Sequence, residues 1–197
     1  MRAFKLKLFV FLYILLVIAS FVGILIAEYV EHDYYVLEMA TRKDNTSDTR
    51  RDKFKTWFAR KRIKKFGFSD KCSIQISSQG DTSAIYVLTE KSSESGVDKK
   101  IVLGLIKDLN LIGCSVNVYN EQAGLLPLHV AIIRGDIDAL KLLLKLGADI
   151  NLVSKREKKL KNLNALDFTL AIIEIKKNHG ESYANQLNIH EILKNHK

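Results

Sequence analysis

The stretch that decides the fold is GLLPLHVAIIRGDIDALKLLLKLGADIN, which runs from Gly124 to Asn151. Over residues 136–146, leucine and isoleucine recur at the spacing of one helix face, which predicts an amphipathic helix. Pro127 suits the first turn of a shorter helix before it, because proline has no N–H group and a fixed φ. Gly135 can take a positive φ in the turn between them. The stretch therefore predicts a hairpin of two helices whose apolar faces need a neighbour to cover them.

The same layout occurs more than once along the chain. IGCSVN at 112–117 and LGADIN at 146–151 each follow an amphipathic helix, and their glycines are 147 − 113 = 34 residues apart. Segments 164–172 and 188–196 repeat the layout of the two helices of the central hairpin. A period of about 33 residues is typical of the ankyrin repeat, in which each hairpin stacks on the next.

The segment LPLHVAIIRGDIDALKLLLKLGADIN resembles an ankyrin repeat in its Pro-Leu-His opening, its central glycine and its Gly-Ala-Asp-Ile-Asn ending. The resemblance extends roughly from Asp98 to the C-terminus and implies a mainly α fold, a short ankyrin-like helical solenoid. Leu126 departs from the family, which usually has a threonine there whose hydroxyl meets His129. Asp167 replaces that histidine in the last unit, and IKKNHGESYANQL lengthens the connection between the last two helices, which suggests a capping repeat or a binding protrusion.

The N-terminal region contains LFVFLYILLVIASFVGILIA, twenty residues without a charge at 8–27. At ~1.5 Å per residue such a helix is about as long as the bilayer core is thick, so we predict a transmembrane signal-anchor helix. A cleaved secretory signal is the alternative, because VIA before Ser20 resembles a cleavage site. Arg2, Lys5 and Lys7 precede the segment, and the positive-inside rule places the N-terminus in the cytoplasm and the remainder outside it.

The segment RRDKFKTWFARKRIKKF at 50–66 is strongly basic and contains an aromatic stripe at helical spacing. Three interpretations are open: a linker helix that packs its stripe onto the repeats, a helix that rests on the membrane surface, or a nucleic-acid-binding segment. Nucleic acid is the least expected partner, because the segment forms no recognised binding module. The membrane-surface candidates are Phe54, Trp57, Phe58, Lys61 and Arg62.

Two short β-type runs, CSIQIS at 72–77 and AIYVLT at 84–89, flank a turn favoured by Gly80 and Asp81. They predict a small β-hairpin that covers the start of the solenoid. EKSSESG at 90–96 predicts a flexible link to the next helix.

The chain has two cysteines, Cys72 and Cys114. Outside the cytoplasm they can form a disulfide that ties the hairpin to the first repeat, and closing such a ring stabilises by roughly 3 to 4 kcal/mol in the chain-entropy model. The alternative is that Cys114 fills the small buried site that Ala148 occupies in the next repeat.

These patterns divide the chain into five segments. They are a basic flank at 1–7, the signal-anchor helix at 8–27, a juxtamembrane linker with the basic helix at 28–70, the β-hairpin and link at 71–97, and the ankyrin-like repeat domain at 98–197.

Motifs of catalysis and cofactor binding do not occur in the sequence, which has no Gly-x-Ser-x-Gly, no phosphate-binding glycine loop and no His-Glu-x-x-His. Its histidines do not fall at metal-ligand spacings with cysteines or carboxylates. We therefore expect neither an enzyme nor a resident cofactor or metal. The formal net charge of +9 favours acidic partners.

An ankyrin-like stack implies a protein partner that binds the loop tips and the inner helices. By the resemblance, the candidate contacts are Tyr119, Asn120, Glu121, Gln122, Ile133, Arg134, Ser154, Lys155, Arg156, Glu157 and Thr169.

The whole layout, one N-terminal anchor before a small ankyrin-like module, resembles immunity proteins of Gram-negative bacteria that face the periplasm. That resemblance implies an inner-membrane protein that binds and neutralises a secreted toxin, such as a phospholipase effector. A general envelope scaffold or adaptor is the alternative, and an enzyme whose site is assembled from scattered residues is a third class.

Overall fold

A computed structural model describes residues 13–14, 16, 33–44, 48–68, 70, 72–76, 80–156 and 158–196. The predicted anchor at 8–27 lies outside the described residues except for three helical positions, 13, 14 and 16. No helix in the part of the chain that is described is both long and apolar enough to cross a membrane. The elements are α1 Asp33–Thr41, α2 Arg50–Phe66, β1 Ser73–Ile76, β2 Gly80–Ser83, α3 Ala84–Lys91, α4 Lys99–Leu111, α5 Pro127–Arg134, α6 Ile137–Lys145, a 3-10 helix Lys158–Leu160, α7 Ala165–Asn178 and α8 Ala184–Lys194.

Three helix pairs stack in sequence order: α3 with α4, α5 with α6, and α7 with α8. The first helix of each pair packs against the first helix of the next, so α3, α5 and α7 form an inner row. Stacking covers the apolar faces that a single hairpin leaves open, and one continuous core results. The mainly α fold predicted from the sequence is confirmed.

The central pair, α5 and α6, agrees with the sequence prediction to within one residue at each end of α6. Pro127 opens α5, and the Asp136 carboxylate caps α6 by accepting a hydrogen bond of 3.0 Å from Ala139 N. Gly135 between them has φ +65°, and a Cβ there would lie 3.0 Å from side-chain atoms of Asn185 and Gln186. Glycine is therefore required both by the turn and by the close approach of α8.

The predicted second strand at 84–89 is wrong, because these residues form helix α3. β1 does pair antiparallel with β2, but β2 is Gly80–Ser83, with Ser73 opposite Ser83. Every side chain from Ala84 to Thr89 is buried, between α4 on one side and α5 on the other. Packing on several sides has overridden the β propensity of the branched and aromatic residues. The periodicity of so short an apolar run does not distinguish a buried helix from a buried strand.

Within the described part of the segment predicted as a linker at 28–70, two helices pack against each other, one more than predicted. α1 buries Val36, Leu37 and Ala40 against α2, and α2 turns Ala59 and Ile63 inward. α2 also packs against α4. The α1–α2 pair is thus joined to the start of the stack.

The link predicted to be flexible is held by hydrogen bonds to the turn of the central pair. The Asp136 carboxylate accepts from Ser92 Oγ at 2.7 Å and from Ser93 Oγ at 3.1 Å, and it pairs with Lys99 Nζ at 2.8 Å. Burial raises the pKa of Asp136, but the hydrogen bonds from Lys99, Ala139 and Ser92 outweigh it, so the pKa is lowered overall. Successive pairs are therefore connected by polar contacts as well as by the apolar core.

A disulfide joins Cys72, just before β1, to Cys114, just after α4. Their Cα atoms are 5.3 Å apart, and the bond closes a loop across a sequence separation of 42 residues. The Cys114 side chain is also buried. The two alternatives for Cys114, a disulfide or a small side chain in a buried site, are therefore both realised. The β-hairpin is thereby fastened to the end of α4.

Candidate functional site

Two loops project between successive helix pairs. The first finger, residues 117–125, is closed by Asn120, whose backbone N–H donates to Leu125 O at 2.9 Å. The second finger, residues 151–164, is closed by Ser154, whose backbone N–H donates to Leu163 O at 2.9 Å. The 3-10 helix Lys158–Leu160 lies at the tip of the second finger.

The two fingers are bonded to each other. Lys155 N donates to Gly124 O at 2.7 Å, and Tyr119 Oη donates to Val153 O at 2.6 Å. The Lys155 ammonium lies 4.1 Å from the centre of the Tyr119 ring. A Cβ on Gly124 would lie 2.7 Å from backbone atoms of the second finger, so this contact requires glycine. The fingers are consequently joined by backbone and side-chain contacts.

A cleft of about 330 Å³ opens between the first finger and α3. Burial, followed by the negative charge of Glu90, raises the pKa of the Tyr86 hydroxyl in its wall. The sequence does not predict this cleft, because it predicts a strand at 84–89, although Tyr86 and Glu90 have the i, i+4 spacing of one helix face. The cleft is lined by Thr82, Tyr86, Val87, Glu90, Asn120, Gln122 and Ala123.

The second finger is basic. Between Lys155 and Lys161 the sequence KREKKLK has five basic residues and one acidic residue. Lys155, Arg156, Lys159 and Lys161 are exposed. Of these, Lys155 and Arg156 are predicted contacts, whereas Lys159 and Lys161 lie beyond the predicted loop tip.

Comparison with known proteins places the central pair in a family. Residues 123–155 match the family model of the ankyrin repeat. The match runs from the end of the first finger through α5 and α6 to the second finger. The match supports the predicted resemblance over these residues, and an ankyrin repeat suggests a protein–protein interaction module. No curated protein and no solved structure matches the chain.

His129 of the ankyrin repeat is a structural residue. Its side chain is fully buried, its Nδ1 accepts from Leu126 N at 3.3 Å, and its ring centre lies 4.5 Å from that of Phe168. The backbone N–H of Leu126 therefore meets the histidine in place of the missing threonine hydroxyl. Burial lowers the pKa of His129 from 6.5 to about 4, so the ring is neutral at pH 7.

Three of the predicted contact residues of the ankyrin-like region are buried and do not belong to its surface. Asn120 Oδ1 accepts from Ala123 N at 2.7 Å within the first finger. Ser154 Oγ donates to Leu160 O within the second finger, and Thr169 Oγ1 donates to Ala165 O at 2.7 Å within α7. Each of these short polar side chains is therefore paired with a nearby backbone group in its buried position.

The remaining predicted contacts belong to the two fingers, except for Ile133 and Arg134, which lie at the C-terminal end of α5. Glu121, Gln122, Arg134, Lys155 and Arg156 are exposed, Tyr119 and Ile133 are half-buried, and Glu157 lies outside the described residues. Arg134 Nη2 lies 3.3 Å from Glu90 Oε1, and Lys155 Nζ lies 3.8 Å from Glu121 Oε1. Each of these two basic side chains therefore has an acidic side chain within ion-pair distance.

The membrane-surface candidates on α2 do not share one environment. Phe54 and Trp57 are 56% and 54% exposed, and Lys61 is exposed, whereas Phe58 is half-buried. Arg62 turns inward and pairs with Asp33 at 3.0 Å. Phe58 packs against the core, whereas Phe54 and Trp57 face solvent, so only part of the stripe fits the interpretation of a linker helix packed on the repeats.

Proposed function

We propose that this chain is a non-catalytic protein-binding module whose partner contacts the two fingers and the cleft beside α3. The observation that carries the proposal is the bonded pair of fingers, fixed by the Lys155 N to Gly124 O hydrogen bond of 2.7 Å and the Tyr119 contacts. A surface that is ordered before binding loses little conformational entropy when the partner arrives. The unit therefore has the rigidity that a binding surface needs.

The charges around the fingers indicate what the partner presents. The basic second finger favours acidic residues on the partner, while Glu90 in the cleft favours a basic residue or a hydrogen-bond donor. The pairs Arg134–Glu90 and Lys155–Glu121 are solvent-exposed, with side-chain exposures of 43% and 44%, and 55% and 78%. Exposed ion pairs of this kind contribute little to stability, so a partner can replace them at small cost.

A finer proposal concerns location and role. The uncharged segment at 8–27 and the basic residues before it support an inner-membrane anchor with the C-terminal domain in the periplasm. The Cys72–Cys114 bond suits an oxidising compartment. In this setting we propose an immunity protein that binds and neutralises a secreted toxin, such as a phospholipase effector.

The experiment is to produce the chain together with the toxin encoded beside its gene, and to measure survival and copurification. We expect protection and a complex. The triple substitution Lys155→Glu, Arg156→Glu and Lys159→Glu should abolish both. The matched control, Lys100→Glu, Lys107→Glu and Lys141→Glu, changes the charge equally at exposed positions of α4 and α6 and should retain both.

A complex without protection would contradict the immunity role and favour the scaffold or adaptor. If the cell is not protected and no complex forms, the toxin is removed from consideration. Equal loss in both triple variants would show that net charge, rather than the fingers, determines binding, and would contradict the proposed binding surface.

A further inference from the structure

Helix α2 carries almost the whole net charge of the protein. Its seventeen residues include nine basic residues and one acidic residue, a net charge of +8, whereas the whole chain has +9. The charge is thus concentrated on one helix of about 26 Å, at ~1.5 Å per residue. This helix is therefore a second basic surface besides the second finger.

The two faces of α2 are opposite in character. Thr56, Ala59 and Ile63 are buried against the rest of the fold. At about 100° per residue, the Phe54 and Trp57 side chains lie on the opposite side of the helix from these positions. Their ring centres are 5.9 Å apart, and each ring is more than half exposed. Packing of the inner face therefore leaves a pair of large rings toward solvent.

Basic residues continue the same exposed line. Arg50, Phe54, Trp57, Lys61 and Lys64 follow one another at intervals of four, three, four and three, the spacing of one helix face. Arg50, Lys61 and Lys64 are exposed. We call these five residues the aromatic–basic face.

Two inward arginines fix the direction of this face. Arg60 Nε donates to Ala40 O at 3.0 Å, and Arg62 pairs with Asp33 at 3.0 Å. Both partners belong to α1, and the Arg62 and Asp33 side chains are largely buried. The rotation of α2 about its axis is therefore set by α1, and the aromatic–basic face is held outward.

We propose that the aromatic–basic face binds the surface of an anionic lipid bilayer, with the rings among the headgroups and the bases toward the phosphates. Aromatic side chains at the depth of the headgroups stabilise membrane binding, and so do Lys and Arg side chains near anionic lipid. The face lies along the exposed side of a single helix, which suits a flat surface, whereas single-stranded nucleic acid is bound in basic grooves that follow its backbone. The interaction does not depend on the identity of the protein partner at the fingers.

We expect the binding of this face to lipid to depend on charge more than on apolar burial, because it has three basic residues and only two aromatic rings. Each base near an anionic surface strengthens binding by about fivefold, so removing three should weaken it by about a hundredfold. Salt should act in the same direction, since the screening length falls from ~10 Å at 0.1 M to ~3 Å at 1 M ionic strength.

Trp57 is the single tryptophan of the chain, so its fluorescence reports this face directly. The full chain is reconstituted into vesicles of phosphatidylcholine alone, or of phosphatidylcholine with phosphatidylglycerol, each containing lipid brominated near the headgroup. We expect quenching of Trp57 and a blue shift in the anionic vesicles only, with loss of both in 1 M salt. In anionic vesicles, the triple variant Arg50→Gln, Lys61→Gln and Lys64→Gln should show the same weak Trp57 quenching as the parent protein in phosphatidylcholine alone.

The matched control, Lys155→Gln, Lys159→Gln and Lys161→Gln, removes the same charge from the second finger and should retain the quenching. Far-UV circular dichroism checks that both variants keep their helices. Quenching that is independent of lipid charge, or absent in both vesicles, would overturn the proposal. The proposal would also be overturned if single-stranded DNA, but not anionic vesicles, shielded Trp57 as measured by its fluorescence.

Discussion

The His129 ring is enclosed by the core of the ankyrin repeat, and its Nε2 has no hydrogen-bond partner in the described part of the chain. Because burial lowers its pKa from 6.5 to about 4, the unfolded chain binds a proton more readily than the folded one between these values. The free energy of unfolding is thus unaffected by His129 above about pH 6.5 and falls as the pH decreases toward 4. The loss amounts to about 3 kcal/mol.

We expect His129→Gln to remove this dependence, since glutamine stays neutral and retains an oxygen that can accept from Leu126 N. Urea unfolding of the parent and the variant at pH 7, 5.5 and 4.5 measures this dependence as the slope of the unfolding free energy against pH. The lowered pKa of Asp136 does not interfere, because its contribution is lost only below its usual value of 3.8. Parallel slopes for the parent and the variant would contradict the burial of a neutral ring.

At the scale of elements, the Cys72–Cys114 bond is the covalent connection between the β-hairpin and the first helix pair. Substituting Cys72→Ser together with Cys114→Ala should lower the free energy of unfolding by about 4 kcal/mol in the chain-entropy model, because the unfolded chain regains the freedom of a long loop. Alanine at 114 suits the buried site, as Ala148 shows at the corresponding position of the ankyrin repeat. Denaturant unfolding with and without reductant measures the effect.

Adding reductant should bring the parent protein to the stability of the double variant and should not change the variant itself. Labelling of thiols under denaturing conditions should require reductant in the parent. Equal labelling with and without reductant would show that the bond does not form.

The elements that could be predicted are those marked by local signals. α5 and α6 were found because an apolar period, Pro127 and Gly135 all point to the same boundaries. α3 was not found, because eight residues that are buried on nearly every side have no polar face and hence no readable period. α1, with nine residues, was too short for its period to stand out from a linker.

The candidate site was predictable to the same extent as its elements. The fingers follow from the repeat period, so Glu121, Lys155 and Arg156 were placed correctly at exposed positions. The cleft was not predictable, because it needs α3 as a helix beside the first finger. The burial of Thr169 is predictable, because Ala165, Phe168, Thr169 and Ile172 have the spacing of one helix face.

At the scale of the whole molecule, both surfaces depend on which side of a membrane the folded part lies. A C-terminal domain outside the cytoplasm would give the fingers access to an incoming toxin, would favour the disulfide, and would turn the aromatic–basic face toward the outer leaflet of the inner membrane. A cytoplasmic domain would keep the lipid contact available but would leave Cys72 and Cys114 reduced.

We therefore predict that a reporter active only in the periplasm is active when fused after Lys197, and that a reporter fluorescent only in the cytoplasm is dark there. The reason is the bias of basic residues before the segment at 8–27, and a matched variant tests that reason. Replacing Arg2, Lys5 and Lys7 by glutamate should reduce the periplasmic signal, whereas the same exchange at Lys100, Lys107 and Lys141 should leave it unchanged. Cytoplasmic fluorescence of the parent fusion would exclude periplasmic immunity, while the Trp57 quenching experiment would still test the lipid surface independently.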